Sequence, residues 1–193
     1  MGNIRCPRGR FHTVAADPPW PYGDRLPGGG RGAAKHYSLM TLEEIQRLCT
    51  QLEFQRIVAD DAHLYLWTTN SFLDSAFTVA RAWGFVPKTV LTWVKARNLT
   101  LAGNAIQVGQ DPRVQIGMGR SFRNCTEHVV VATKGRLLFQ EHWRPGVFFA
   151  SRTEHSVKPD LAYEIFEAMS PAPRLELFAR AKRPGWATWG DEV

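Results

Sequence analysis

Residues 14–24 read VAADPPWPYGD, and the fold is decided where that stretch changes character. Small and apolar residues run from Phe11 to Ala16 and stop at Asp17, the pattern of a short strand buried in a sheet. Two prolines follow. Neither Pro18 nor Pro19 has a backbone N–H, and each confines its predecessor to extended geometry, so the chain leaves the strand stiffly. The Asp17 carboxylate and the Pro18 carbonyl are then two fixed acceptors, with Trp20 as a flat apolar face and Tyr22 nearby.

Working outward, residues 21–37 carry two prolines and five glycines without any period, which predicts a long loop. Residues 41–52 predict a helix. Thr41 and Glu44 form a capping box, and Leu42, Ile45, Leu48, Cys49 and Leu52 make its apolar stripe. Strands are predicted at 62–69, 88–95, 127–133, 146–151, 174–180 and 185–190. One further helix begins at Asn70 or Ser71 and stops at Gly84, and another follows Pro159. Residues 96–125 have no convincing period and are expected to form a loop. Strands alternating with helices imply an α/β fold, a mostly parallel sheet with helices on both faces, spanning 1–193 as a single domain. Ligands collect beyond the carboxyl ends of such strands, where Asp17, Lys95 and Arg180 are expected to meet.

Composition sets the class. At 193 residues, 44% apolar and 22% charged, the chain can bury a sizeable core and is not a disordered sequence. No stretch has the length of a membrane span, and no apolar leader stands at the N-terminus. Three scattered cysteines without a CxxC pair point to a reducing cytoplasm, and six histidines without ligand spacing give no metal site. The net charge of +6 favours a polyanionic partner. Between 95 and 124, Lys95, Arg97, Arg113, Arg120 and Arg123 stand against one acid, Asp111.

Two fixed acceptors beside an aromatic face suit an amino group on a planar heterocycle, such as N6 of adenine. That amine is a poor nucleophile because its lone pair is delocalised into the ring. Hydrogen bonds from both its N–H groups to Asp17 and Pro18 favour a pyramidal nitrogen able to attack a methyl electrophile, with no metal required. The competing reading is structural, a Pro-Pro turn with Trp20 filling the core.

The ordered set VAADPPW, YSLMTLEEI, HLYLWTT, TWVK, TEHVVVATKG, EHSVKPD, EAMSP and RLELFAR resembles the DPPW-type adenine N6-methyltransferases. That is the family of the eukaryotic mRNA adenosine methyltransferase catalytic subunit and its bacterial and phage relatives. The resemblance implies S-adenosylmethionine as methyl donor and a Rossmann-like methyltransferase fold in permuted order, with the catalytic motif early and the donor-binding strand late. It assigns catalysis to Asp17, Pro18, Pro19 and Trp20, with Asp17 also facing the donor. Lys158 falls where the family has a lysine near the donor's methionine carboxylate, and Glu176 and Arg180 fall on donor-pocket positions, though a Glu176–Arg180 structural pair is the alternative. Departures follow: Lys182-Arg183 replaces His-Asn, Asp191 and Glu192 replace Asn-Gln at the ribose, and Asn3-Ile4 replaces the acid-aliphatic pair at the donor adenine.

Nucleic acid is expected to meet Tyr22, Arg25, Arg31, Lys35, His36 and Tyr37 of the first loop and the five cations of the second. A bacterial or phage enzyme acting on DNA by base flipping, with short or relaxed target recognition, is the leading expectation. The same reaction on RNA and a non-catalytic nucleic-acid-binding subunit are the alternatives. A homodimer or a partner subunit is compatible with either.

Overall fold

The run of small residues before Asp17 forms strand β1 (Phe11–Ala16), in the interior of a seven-stranded sheet. The computed structural model describes residues 7–22, 39–51, 54–97, 99–102, 105–108, 114–116, 122–152, 157–190 and 193. After β1 come α1 (Leu42–Gln51), α2 (Phe54–Ile57), β2 (Val58–Thr68), α3 (Leu73–Ala82) and β3 (Val86–Lys95). The chain continues through β4 (Leu99–Ala102), β5 (Ala105–Val108), β6 (Thr126–Lys134), β7 (Val147–Ala150), α4 (Asp160–Met169), β8 (Arg174–Leu177) and β9 (Trp186–Trp189).

The strand order is β7-β3-β6-β2-β1-β8-β9. Four neighbouring pairs are parallel, and β6 alone runs against both of its neighbours. The expected mostly parallel α/β sheet is therefore present, with one reversed strand. The reversal matters for the site, because it brings the start of β6 to the rim where β1, β2, β3 and β8 end.

Alternation along the strands divides the core in two. Val14, Ala16, Leu64, Leu66, Val130, Leu175 and Leu177 face α1 and α3, whose Ile45, Leu48, Ala76, Val79 and Ala80 complete that layer. Ala15, Tyr65, Trp67, Val129, Val131 and Trp93 face α4, through its Ala162, Tyr163, Ile165 and Phe166. Burying each of the larger aliphatic side chains contributes roughly 1.5–3 kcal/mol.

Local chemistry sets the element ends. The capping box forms as expected: Thr41 N–H donates to Glu44 Oε2 at 2.7 Å, and Glu44 N–H donates to Thr41 Oγ1 at 3.2 Å. α3 stops where Gly84 takes φ +83, a conformation that costs a residue with a side chain. The far end of α4 is tied down by a buried chain of hydrogen bonds. His63 Nε2 meets the Leu137 carbonyl at 3.0 Å and so carries the proton, leaving Nδ1 to accept from Ser170 Oγ at 2.7 Å, while Tyr65 Oη donates to Ser170 Oγ at 2.6 Å.

Three expectations are corrected. The segment 96–125 is not all loop, since β4 and β5 pair antiparallel, with Ala102 opposite Ala105. The pair Gly103-Asn104 between alternating apolar residues is a hairpin signal. β2 begins at Val58, four residues earlier than expected; its exposed Asp60 and Asp61 disguise the start. β8 ends at Leu177 rather than Arg180, because Phe178 takes φ 60 and turns the chain out of the sheet. Among the described residues no helix is long and apolar enough to cross a membrane.

Candidate active site

Period-two alternation predicts which side of the sheet each rim residue takes. Asp17 continues the face of Ala15, Glu127 that of Val129, and Lys95 that of Trp93, so all three lie on the α4 side at one rim. Lys158, just ahead of α4, closes the group. Lys95 Nζ donates to Glu127 Oε1 at 2.7 Å, and Lys158 Nζ donates to Glu127 Oε2 at 2.8 Å. Lys158 Nζ also lies 3.0 Å from Asp17 Oδ2. The result is a ladder of alternating charge, Lys95, Glu127, Lys158, Asp17.

The ladder is largely shielded from water, and its electrostatics follow from that. Burial opposes the charge on Glu127, but Lys158 and Lys95 override it and hold the carboxyl down at about 2. Burial likewise opposes the Lys158 charge, and Asp17 with Glu127 keep its ammonium above the usual lysine range. The Lys158 nitrogen also sits 5.1 Å from the centroid of the Trp67 ring, a cation–π approach.

The turn carrying Asp17 is built from its few donors. With prolines at 18, 19 and 21, the only N–H groups of residues 18–22 belong to Trp20 and Tyr22. Trp20 N–H donates to the Pro18 carbonyl and Tyr22 N–H to the Trp20 carbonyl, both at 2.8 Å. Met40 N–H ties the Pro19 carbonyl at 3.0 Å. The Pro18 carbonyl is thus held in place and keeps a second lone pair.

Trp20 does not offer the open face that its sequence position suggests. Only 2% exposed, it stacks on Phe72 with centroids 5.6 Å apart, and its Nε1 donates to the Trp67 carbonyl at 3.0 Å. Its part is to anchor the turn from the α1–α3 side. Tyr22 is half-buried beside it, edge-on to Phe72, with Oη donating to Thr69 Oγ1 at 3.2 Å.

An open cleft lies between the ends of β1 and β8 and the start of α4, lined by Asp17, Lys158, Tyr163, Glu176, Phe178 and Arg180. Glu176 faces α4 and accepts a hydrogen bond from Tyr163 Oη. Burial raises its carboxyl above the ordinary range, although the Tyr163 bond opposes this. Arg183 stacks over Tyr163 with its Cζ 3.7 Å from the ring centroid, and its Nη1 donates to Asp160 Oδ1 at 2.8 Å. Its Nε is buried with no hydrogen-bond partner among the described residues, and the Arg183 side chain lines the cleft. Between Phe178 and Arg180 the backbone is fixed near the ends of β8 and β9: Ala179 N–H donates to the Trp189 carbonyl, and a Cβ on Gly190 would lie 2.2 Å from the Ala179 carbonyl oxygen. Anions, cations and two aromatic rings around one open cleft fit a donor that carries an amino acid, a sulfonium and a planar base.

The structure therefore gathers Asp17, Lys158, Glu176 and Arg180 around one cleft. Lys95 reaches the rim, but as a 14% exposed partner of Glu127 rather than as a solvent-facing cation. Arg97 and Arg123 are exposed at the same rim, at the ends of β3 and β6. Asn3, Ile4, Arg25, Arg31, Lys35, His36, Tyr37, Arg113, Arg120, Asp191 and Glu192 lie outside the described residues. Glu127 and Tyr163 were not assigned from sequence. The signal for Glu127 was present, an acid at the mouth of the all-apolar run 129–132.

The MT-A70 family model matches residues 11–192. This chain belongs to the MT-A70 family. The resemblance drawn from the sequence is borne out, and with it the enzyme class, an adenine N6-methyltransferase. Among MT-A70 relatives, the chain is 30% identical to the type II methyltransferase M.MunI of a Mycoplasma species, over 98% of its own length and 80% of that protein's. It is 29% identical to the human N(6)-adenosine-methyltransferase catalytic subunit METTL3, over 96% of its own length but only 28% of that protein's. An N6-methyladenosine RNA methyltransferase, MTA1 of Pyricularia oryzae, is 27% identical over 95% of the chain and 47% of its own length.

Proposed function

We propose that this chain transfers a methyl group from S-adenosylmethionine to N6 of adenine in DNA. The observation that carries the reading is the Asp17 carboxylate at the mouth of the cleft, with Oδ2 committed to Lys158 and the pinned Pro18 carbonyl following it. Bound S-adenosylmethionine supplies a methyl group made electrophilic by its sulfonium sulfur. Asp17 Oδ1 and the free lone pair of the Pro18 carbonyl accept the two N–H bonds of the amine. They localise its lone pair and offset the positive charge that develops on nitrogen, and because both are held before the substrate arrives, little reorganisation is needed.

Glu176 with Tyr163, Arg180 and Arg183 line the cleft that would hold the donor, and Lys158 keeps one N–H beyond those given to Glu127 and Asp17 for its carboxylate. Exposed Arg97 and Arg123 serve phosphate contacts beside the rim. The preference for DNA rests on the type II methyltransferase, since the chain spans most of that protein's length. An adenine in a duplex must leave the stack to present N6 to Asp17, so base flipping goes with this substrate. RNA is the second reading, favoured by the similarity to the adenosine methyltransferases.

The test is methyl transfer from labelled S-adenosylmethionine to duplex DNA, single-stranded DNA and RNA, with nucleoside analysis of the product. N6-methyladenine in DNA, lost in Asp17→Ala, is the expected result. Product in RNA alone overturns the polymer and keeps the chemistry.

A further inference from the structure

We infer that Lys95 is a positioning residue of the transfer site, acting through Glu127 and Lys158 on the Asp17 carboxylate, and not a contact for nucleic-acid phosphate. The inference rests on the reading of Asp17 as the residue that holds the acceptor amine.

The geometry divides the Glu127 carboxylate between two ammoniums, Oε1 to Lys95 at 2.7 Å and Oε2 to Lys158 at 2.8 Å. Lys158 then has one nitrogen for two acids, Glu127 on one side and Asp17 at 3.0 Å on the other. What keeps it from moving wholly onto Glu127 is the competing cation on the far oxygen. Without Lys95 the group holds two carboxylates and one ammonium. Glu127 then has no other cation among the described residues, draws Lys158 toward itself, and leaves Asp17 Oδ2 free to rotate. The acceptor that must be fixed before the amine arrives loses its clamp.

Lys95 is built for such a task. Its side chain is 14% exposed, whereas Arg97, two residues on, is exposed. Its nitrogen lies 5.1 Å from the centroid of the Trp93 ring, itself held by an Nε1–H bond to the Ala150 carbonyl at 2.9 Å. The Lys95 backbone is tied on both sides, N–H to the Cys125 carbonyl at 2.9 Å and carbonyl to Gln115 N–H at 2.7 Å. A phosphate contact needs reach and access to solvent; this side chain is fixed, shielded and already paired.

The experiment is steady-state methylation of an adenine-containing duplex by wild type, Lys95→Met and Lys95→Arg, at saturating S-adenosylmethionine and several salt concentrations. Thermal melting and donor binding are measured on each protein. Lys95→Met is expected to lower kcat on the order of 10- to 100-fold, the scale of a small misplacement of a reacting group. KM for the duplex and its salt dependence stay at the wild-type value, and Lys95→Arg recovers much of kcat by restoring the charge. A raised duplex KM with unchanged kcat and a salt slope smaller by about one overturns the inference in favour of a phosphate contact. Equal losses in folded Lys95→Met and Lys95→Arg overturn it as well. If Lys95→Met does not melt cooperatively, Lys95→Gln replaces it, and a wild-type kcat there overturns the charge argument. Failure of the underlying reading looks different: Asp17→Asn then keeps full kcat, whereas failure of this inference alone leaves Asp17→Asn inactive and Lys95→Met active.

Discussion

Replacing Glu127 by glutamine keeps the shape of the ladder and removes its central charge. The magnitude follows from how firmly the native state holds that charge. Glu127 is held from an ordinary 4.5 down to about 2, and at about 1.4 kcal/mol per pH unit this amounts to about 3 kcal/mol in favour of the folded, ionised form. Removing one partner from a shielded ion pair costs a similar amount, roughly 3–5 kcal/mol, because the other charge is left uncompensated. Here two ammoniums are left, on side chains 14% and 11% exposed, with Asp17 the one carboxylate of the ladder that remains. The folded-state value lies below the unfolded one, so the stabilisation is complete above about pH 4.5 and is lost as the pH falls toward 2. Urea unfolding of wild type and Glu127→Gln from pH 7 down to pH 3 reads both quantities. The variant is expected to be about 3 kcal/mol less stable at pH 7, with the gap narrowing below pH 4.5. A gap under about 0.5 kcal/mol at neutral pH, the size of an exposed ion pair, would refute the reasoning. So would a gap that does not change with pH.

Other expectations follow from the same structure. Ser170→Ala strands the His63 and Tyr65 polar atoms and should cost about 1–3 kcal/mol in urea unfolding. Burial lowers His63 below its usual range against the pull of the Leu137 bond, so wild-type stability should fall as pH drops below about 6.5, and His63→Gln should flatten that slope. Gly190→Ala drives a methyl into the Ala179 backbone; a loss of about 1–3 kcal/mol and weaker donor binding by calorimetry are expected. Arg97→Ala and Arg123→Ala should each raise KM for the polynucleotide and reduce its salt slope by about one while sparing kcat.

What the sequence disclosed was local chemistry. The strand before Asp17, the Thr41–Glu44 box and the stop at Gly84 depend on neighbouring residues only, and each stands where its residues put it. Trp20 was misjudged because its burial depends on Phe72 and on the carbonyl of Trp67, 47 residues away. Lys95 looked like one member of a basic cluster because composition counts charges without their partners; Glu127 is 32 residues on. That partnership requires β6 to run against β3, and no pattern within either strand states its direction. The early end of β8 at Phe178 was equally hidden, since LELFAR carries no glycine to announce a left-handed residue.

The charge ladder also orders events in time. Its rungs come from β3 and β6, from just after β1 and from just ahead of α4, and the pair that completes it, Asp17 and Lys158, lies about 140 residues apart in the chain. A ribosome adding about 5–20 residues per second leaves Asp17 waiting for its clamp for roughly 7–28 s. Until Lys158 arrives, Glu127 has Lys95 alone and Asp17 has no cation from this group. On the proposed reading, a nascent or partly folded chain holds Asp17 without its clamp, and the site is complete only when the last third of the polypeptide has docked.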